Sequence, residues 1–205
     1  MVNQQLGGVH SCKMLMYSVD FEEVKQLTFA NNWNAIAAMM SDVAARLETA
    51  GADCLLLGAN TMHNVADQVQ AAVRIPLIHI ASATALEISK QQINSVALLG
   101  TRYTMQMDFY KSKLKEKGID TIIPAEEDIE FINHIIYEEM GKGIFLAESK
   151  ARIISIINGL KLQGARGVIL GCTELPILIK QEDIPIPSFD TTLIHVKAAV
   201  EFALS

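Results

Sequence analysis

Cys172 is the residue whose sequence context is best suited to chemistry. It follows the short apolar run Val168–Leu170 and a glycine, Gly171. In open α/β sheets, ligands bind just beyond the carboxyl ends of the strands, where this cysteine would lie. The downstream segment can begin a helix, and a thiol at a helix N-terminus has a lowered pKa because backbone N–H groups favour the thiolate. We therefore expect Cys172 to be a reactive thiol rather than an inert buried one.

Polar residues that could bind a carboxylate follow two other apolar runs. Asn60 and Thr61 end one run, and Thr101 follows the glycine that ends another. Short polar side chains and free backbone N–H groups suit an anionic ligand. Asparagine and threonine are also common in turns and helix caps, so a purely structural role is the alternative for each.

The other cysteines and histidines read first as structural groups. Cys54 lies within an apolar run and Cys12 has no informative neighbours. His63 and His195 are typical of hydrogen-bonded structural histidines, with a role in the site as the open alternative. The sequence has neither a CxxC pair nor an HExxH motif, so we expect no metal site.

An internal repeat connects the candidate residues. Gly51–Thr61 aligns without a gap with Gly164–Glu174, and each copy has a small-residue turn, an apolar run, a glycine and small polar residues. The copies differ where chemistry would take place, because Ala59 stands where the other copy has Cys172. The repeat predicts two related halves that face each other across a cleft, with a reactive group on one side only.

Strand-length apolar runs alternate with helical patterns along the whole chain, which indicates βαβ units and a mainly parallel sheet. The predicted strands are Met14–Val19, Cys54–Leu57, Leu77–Ile80, Val96–Leu99, Thr121–Ile123, Val168–Leu170 and Ile186–Phe189. The predicted helices are Trp33–Thr49, Val65–Val73, Tyr103–Lys117, Ile129–Met140, Ile144–Gln163 and Thr192–Leu204.

These elements predict an α/β fold of two pseudo-symmetric, Rossmann-like lobes with parallel sheets. The first lobe would comprise residues 1–83 plus 188–205, and the second residues 84–187. The second half has a strand-turn unit at Val96–Thr101 whose counterpart in the first half would fall before Met1. By this internal symmetry, we expect the first lobe to lack its opening strand.

Composition narrows the class of protein. The 205 residues are 50% hydrophobic and 20% charged, which permits a sizeable core and argues against disorder. The net charge of −6 argues against a nucleic-acid partner. No apolar stretch reaches the roughly 20 residues that span a bilayer, and no secretory signal is recognisable. Three cysteines without close pairing fit a reducing compartment, so we expect a cytoplasmic protein without a membrane partner.

Several motifs together resemble the cofactor-independent aspartate/glutamate racemase family, and within it the broad-specificity amino-acid racemases. The matching segments are Leu6-Gly7-Gly8-Val9-His10-Ser11, Tyr17-Ser18-Val19-Asp20-Phe21, Asn60-Thr61-Met62-His63, Ala97-Leu98-Leu99-Gly100-Thr101-Arg102-Tyr103-Thr104-Met105, Gly171-Cys172-Thr173-Glu174-Leu175 and Phe189-Asp190-Thr191-Thr192. The resemblance implies two lobes with the active site between them, usually in a homodimer. It also implies proton transfer at Cα without pyridoxal phosphate or any other cofactor, with a base on one face and an acid on the other.

The chain departs from the pattern of that family at two places. Most members carry a cysteine as each acid/base, whereas the first position falls here on Ala59, or on Gly58 if the loop is one residue longer. Neither side chain can transfer a proton. The opening strand with its Gly-Gly-Met loop, which touches substrate in the family, has no match, and Met1 begins where the helix of that unit would be finishing.

Three hypotheses follow. The first is an amino-acid racemase acting on aspartate, glutamate or a similar amino acid, with Cys172 as acid/base and with Asn60, Thr61, Thr101 and Thr173 binding substrate. Water, or a group from a missing or partner segment, would then serve the other face, and racemisation would be weak or absent. The second is a single-cysteine enzyme resembling arylmalonate decarboxylases. The third is a degenerate paralogue that binds a small carboxylate without turnover.

Overall fold

The computed structural model describes residues 1–205 as an α/β protein built around one parallel sheet. The strands are β1 (Ser95–Gly100), β2 (Asp120–Ile122), β3 (Val168–Gly171) and β4 (Ser188–Asp190). Their order is β2-β1-β3-β4 and every pair is parallel. The central strands β1 and β3 are buried on both faces, as their uninterrupted apolar sequences predict.

Eleven α-helices surround or precede the sheet: α1 (Val2–Leu6), α2 (Phe21–Phe29), α3 (Trp33–Thr49), α4 (Ala66–Ala71), α5 (Ile80–Lys90), α6 (Arg102–Gln106), α7 (Asp108–Lys115), α8 (Glu126–Glu138), α9 (Ala147–Leu162), α10 (Leu175–Leu178) and α11 (Thr191–Ala203). Short 3-10 helices cover Thr61–Val65, Met140–Lys142 and Gln181–Asp183. None of the helices combines the length and the apolar character needed to cross a bilayer.

The chain divides into two compact units. The first contains Met1–Leu57, Asn64–His79 and Lys197–Ser205. Within it, α2 and α4 pack on α3, and the Glu48 carboxylate accepts hydrogen bonds from the backbone N–H groups of Arg74 (2.8 Å) and Ile75 (3.1 Å). The second unit contains Gly58–His63 and Ile80–Val196, and therefore the whole sheet. The lobe boundaries given above remain a prediction.

The core of the second unit lies on both faces of the sheet. Along β1, Ala97 and Leu99 join one buried cluster with α8 and α9, whereas Val96 and Leu98 join another with α5 and α7. In β3, Ile169 packs on the α5 and α7 side while its two neighbours pack on the other. This alternation is the two-residue period of a strand. Because helices cover both faces of the sheet, every position of these strands is buried, and the strands are therefore uninterrupted apolar runs in the sequence.

The predicted strands in the second half of the chain are confirmed, and so are the helices predicted at Trp33–Thr49, Ile129–Met140, Ile144–Gln163 and Thr192–Leu204. The strand predicted at Met14–Val19 is wrong, because that segment pairs with nothing and its methionine side chains are about three-quarters exposed. The strands predicted at Cys54–Leu57 and Leu77–Ile80 are reduced to one parallel bridge between Leu55 and Leu77.

Two helix predictions also need correction. The single helix predicted over Tyr103–Lys117 is two helices, because Met107 takes an extended conformation (φ −76°, ψ 158°) between α6 and α7. Helix α2 was not predicted, although Asp20 is a recognisable N-cap whose carboxylate accepts from the backbone N–H of Glu22.

Two glycines let β1 and β3 approach each other at the carboxyl edge. Gly100 and Gly171 are register partners, and a Cβ on Gly171 would lie 2.6 Å from the carbonyl oxygen of Leu99.

We expect Gly171→Ala to lower the free energy of unfolding by about 2 kcal/mol or more, because the clashing atom belongs to the backbone of a central strand and cannot move aside as a side chain can. Gly159→Ala is the matched control: its Cβ meets nothing within 4 Å inside α9, so it should stabilise by about 0.5–1 kcal/mol. Urea denaturation of both variants measures this, and equal stabilities would contradict the prediction.

Candidate functional site

The carboxyl ends of β1, β3 and β4 bring the candidate residues to one edge of the sheet. Thr101, Cys172 and Thr191 are the residues that directly follow these strands. Since Gly100 and Gly171 are register partners, Thr101 and Cys172 leave the sheet at neighbouring positions. The loop that carries Asn60 and Thr61 belongs to the same compact unit. This is the edge at which open α/β sheets bind ligands.

Three buried threonine hydroxyls form a cluster at this edge. The Oγ1 atom of Thr61 lies 2.8 Å from that of Thr101 and 3.5 Å from that of Thr104, and the last two are 3.2 Å apart. Thr101 is also the N-cap of α6, where its hydroxyl accepts from the backbone N–H of Thr104. Each hydroxyl can turn to donate or to accept, so the cluster can present donors to an anion without moving its backbone.

Asn60 is held by a chain of hydrogen bonds that fixes the orientation of its amide. The hydroxyl of Thr191 donates to the carbonyl oxygen of Leu170 at 3.0 Å, so it must accept from Asn60 Nδ2, also at 3.0 Å. Asn60 is 5% exposed, and its Oδ1 is buried without a hydrogen-bond partner. A buried acceptor without a donor is rare in folded proteins. Oδ1 is therefore the atom of Asn60 that still has the capacity to accept a hydrogen bond.

Cys172 is buried, with 8% of its surface exposed, and its Sγ donates to Glu174 Oε2 at 2.9 Å. Burial raises the pKa of the Cys172 thiol, and the neighbouring Glu174 carboxylate raises it further. Hydrogen bonds from the backbone N–H groups of Glu174 and Thr173 act in the opposite direction but are outweighed. The expectation of a lowered pKa is therefore wrong: α10 has only four residues, and burial beside a carboxylate dominates.

Glu174 is a functional candidate that the sequence reasoning did not single out. Its Oε2 accepts from the Thr173 hydroxyl at 2.6 Å as well as from the Cys172 thiol. Thr173 itself is exposed, with its hydroxyl committed to that carboxylate. The signal was present in the Gly-Cys-Thr-Glu run, where the acid stands two residues after the thiol.

Helix α8 supports the segment that follows Thr101. The Arg102 backbone N–H donates to Asn133 Oδ1 at 3.0 Å, and the Arg102 guanidinium pairs with Glu130. Tyr137, one turn further along α8, packs on the buried cluster that contains Cys172. Burial raises the pKa of Tyr137 to about 12, with smaller contributions from Tyr103 and Cys172. Its phenol is therefore protonated at neutral pH. These residues were not predicted, because their proximity depends on the packing of α8.

His63 and His195 are buried, and the other two cysteines lie in the first unit. His63 is 2% exposed and packs edge-on against His195, with ring centroids 5.4 Å apart. Ala59, on which the family resemblance places the first acid/base position, is partly exposed. Cys12 is exposed and Cys54 partly so, both in the first unit, where burial raises the pKa of Cys54. The structure thus joins Asn60, Thr61 and Thr101 to the edge where Cys172 lies, while Thr173 turns toward solvent.

Comparison with known proteins agrees with this geometry. The family model for Asp/Glu/hydantoin racemases matches residues 1–199. The broad-specificity amino-acid racemase RacX of Bacillus subtilis is 25% identical over 200 residues, covering 96% of this chain and 81% of RacX.

Two solved structures superpose on the whole chain. A candidate Asp/Glu racemase from Yersinia pestis has a TM-score of 0.92 and 46% identity, and 89% of its length is covered. An aspartate racemase homologue from Pyrococcus horikoshii has a TM-score of 0.85 and 37% identity, and 89% of its length is likewise covered. From its sequence, its parallel sheet and these relatives, the chain belongs to the Asp/Glu/hydantoin racemase family.

Proposed function

We propose that this protein acts at Cα of a small amino acid such as aspartate or glutamate, as an amino-acid racemase that uses no pyridoxal phosphate. The observation that carries the proposal is the Cys172 thiol, hydrogen-bonded to Glu174 at the sheet edge that also holds the Asn60, Thr61 and Thr101 side chains. Proton transfer at Cα requires an acid/base group, which the thiol beside the carboxylate can provide. It also requires hydrogen-bond donors that stabilise the developing negative charge, which the neighbouring hydroxyls can provide.

Substrate binding would divide between donors and an acceptor. The hydroxyls of Thr61 and Thr101 are suited to the α-carboxylate, and they would stabilise it as it gathers charge in the carbanion. Asn60 is better suited to the α-ammonium, because its Nδ2 is committed to Thr191 and its unpartnered atom is the acceptor Oδ1. This assignment replaces the expectation that Asn60 binds carboxylate. Thr173 would act through Glu174, because its hydroxyl donates to that carboxylate.

Proton transfer would begin with the thiol in its protonated form. The Sγ proton passes to Glu174 Oε2, 2.9 Å away, and the thiolate removes the Cα proton to leave a carbanion. The partly exposed Glu174 and the thiol would exchange these protons with solvent while the carbanion persists, and the thiol would then return a solvent proton to the face from which the first one came. On the opposite face, Ala59 has no proton to give, so inversion would depend on water. We therefore expect exchange of the α-proton with solvent to outpace racemisation.

Deuterium exchange tests the proposal. In D₂O, the full chain should incorporate deuterium at Cα of L- or D-aspartate, as followed by proton NMR, and Cys172→Ala should lose about 100-fold or more of that rate. Cys54→Ala is the matched control and should exchange like the wild type, because Cys54 lies in the other compact unit. Undiminished exchange by Cys172→Ala would refute the role of this thiol.

A carboxylate-binding role without turnover is the second candidate. It is favoured by the burial of Cys172 within a hydrophobic cluster and by alanine at the position of the first acid/base. Calorimetry with aspartate separates the two: binding that survives Cys172→Ser, without exchange in either form, would support it. Stereospecific release of carbon dioxide from a substituted malonate would instead identify the single-cysteine decarboxylase reaction.

A further inference from the structure

We propose that His63 is a positioning residue for this site, and that its neutral form with the proton on Nδ1 fixes the loop of Ala59, Asn60 and Thr61. The catalytic meaning of this inference rests on the proposed function, whereas the protonation state and the hold on the loop do not.

The two ring nitrogens of His63 have partners that define one protonation state. Nε2 lies 3.2 Å from the backbone nitrogen of Ile80, at the start of α5. A backbone N–H can only donate, so Nε2 must be the unprotonated acceptor. Nδ1 lies 3.0 Å from the carbonyl oxygen of Ala59, which can only accept, so Nδ1 carries the proton. The ring is buried and both of its nitrogens are used in this tautomer.

These bonds hold two successive carbonyls of the loop. The ring binds the carbonyl oxygen of Ala59, and the backbone N–H of His63 donates to that of Asn60 at 3.0 Å. The loop is thereby closed into the 3-10 helix that starts at Thr61. From this turn, Asn60 reaches Thr191 and Thr61 reaches Thr101. Loss of the imidazole ring would therefore release the backbone of the loop that orients the Asn60 and Thr61 side chains.

Helix α11 contacts the same loop from the other direction. Thr191 accepts from Asn60, and His195, four residues later on the same helix face, packs its ring against His63 at an interplanar angle of 67°. The loop is therefore fixed between the start of α5 and the first turns of α11. A group that connects two elements through a buried ring is suited to setting the position of a binding loop rather than to contacting substrate.

NMR of the histidine side chains tests the protonation state directly. In the full chain labelled with ¹⁵N-histidine, long-range ¹H–¹⁵N spectra at neutral pH should show His63 with a protonated Nδ1 and an unprotonated Nε2. The His63 signals are those that disappear in His63→Gln. A proton on Nε2, or a doubly protonated ring, would overturn the inference. This readout does not require any enzymatic activity.

Three substitutions test the positioning role. In His63→Asn the amide nitrogen can replace Nδ1, and in His63→Gln the amide oxygen can replace Nε2, so each keeps one of the two bonds; His63→Ala keeps neither. We expect His63→Ala to lose about 100-fold in kcat/KM for α-proton exchange of aspartate, as a misplaced binding group would, and the other two variants to recover part of it. His134→Asn, on the exposed face of α8, should match the wild type.

The outcomes separate this inference from the proposed function. Wild-type kcat and KM in a folded His63→Ala would overturn the positioning role. If the wild type catalyses α-proton exchange of no amino acid, the proposed function fails. The NMR signals of the Asn60 side-chain NH₂ group then decide whether His63 positions the loop. Those signals should shift in both His63→Asn and His63→Gln and stay in place in His134→Asn; unchanged signals in the His63 variants would refute it. The Asn and Gln pair also keeps the test decisive should His63→Ala fail to fold.

Discussion

Ala59→Cys is expected to convert solvent exchange with retention into racemisation. Ala59 precedes the loop residues that reach Thr191 and Thr101, and it is partly exposed, so a thiol fits there without displacing the core. A second thiol would supply a proton to the face of the carbanion that Cys172 does not serve. General acid catalysis contributes about 10²–10⁴-fold, so the racemisation rate of aspartate should rise by at least about 100-fold. Circular dichroism of L-aspartate solutions, followed against time, measures this rise.

Two further variants make that result specific. Gly58→Cys is the matched control for register: Gly58 is exposed and a Cβ there meets nothing within 4 Å, so the thiol is tolerated but displaced by one residue. It should leave racemisation at the wild-type rate. Adding Cys172→Ala to Ala59→Cys should abolish the gain, because inversion needs a proton carrier on each face. A gain in Gly58→Cys alone would instead place the first acid/base position at residue 58.

The sequence predicts most reliably the strands that are buried on both faces of the sheet, because these strands are continuous apolar runs. Val96–Leu99 and Val168–Leu170 are buried by helices on either face, so consecutive apolar residues and a terminal glycine are sufficient to predict them. Met14–Val19 has a similar composition but no partner strand. Pairing depends on residues distant in the chain, and a local apolar run carries no information about it.

In the candidate site, too, some features could be predicted from the sequence and others depend on tertiary packing. The meeting of Thr61 with Thr101 agrees with the internal repeat, which predicts that the loops of the two halves face each other. The direction of the Cys172 pKa could not be predicted, because it depends on how deeply the thiol is buried and on the rotamer that brings Glu174 Oε2 to it. The role of His63 was equally inaccessible, since its partner Ile80 lies 17 residues away on another element.

Glu174→Gln is expected to lower the pKa of Cys172 while slowing proton exchange at neutral pH. The carboxylate repels the thiolate and accepts the hydrogen bond of the thiol, and both effects raise the pKa of Cys172. Glutamine keeps the shape but removes the charge, so the thiolate forms at lower pH, although burial keeps the pKa above its ordinary value. In a background with Cys12→Ser and Cys54→Ser, the ultraviolet absorbance of the remaining thiolate against pH measures this shift.

The exchange rate should respond in two ways that only this arrangement explains. Near neutral pH, Glu174→Gln should exchange about 10²-fold more slowly, because the acceptor of the thiol proton is gone. Toward alkaline pH, where hydroxide removes that proton instead, the rate should recover, and recovery should begin at a lower pH than the rise seen for the wild type. Glu182→Gln, an exposed glutamate on a 3-10 helix, should change neither profile. A Cys172 pKa that is unchanged or higher in Glu174→Gln would mean that the carboxylate does not face the thiol. Proton transfer by Cys172 would then have to proceed without Glu174.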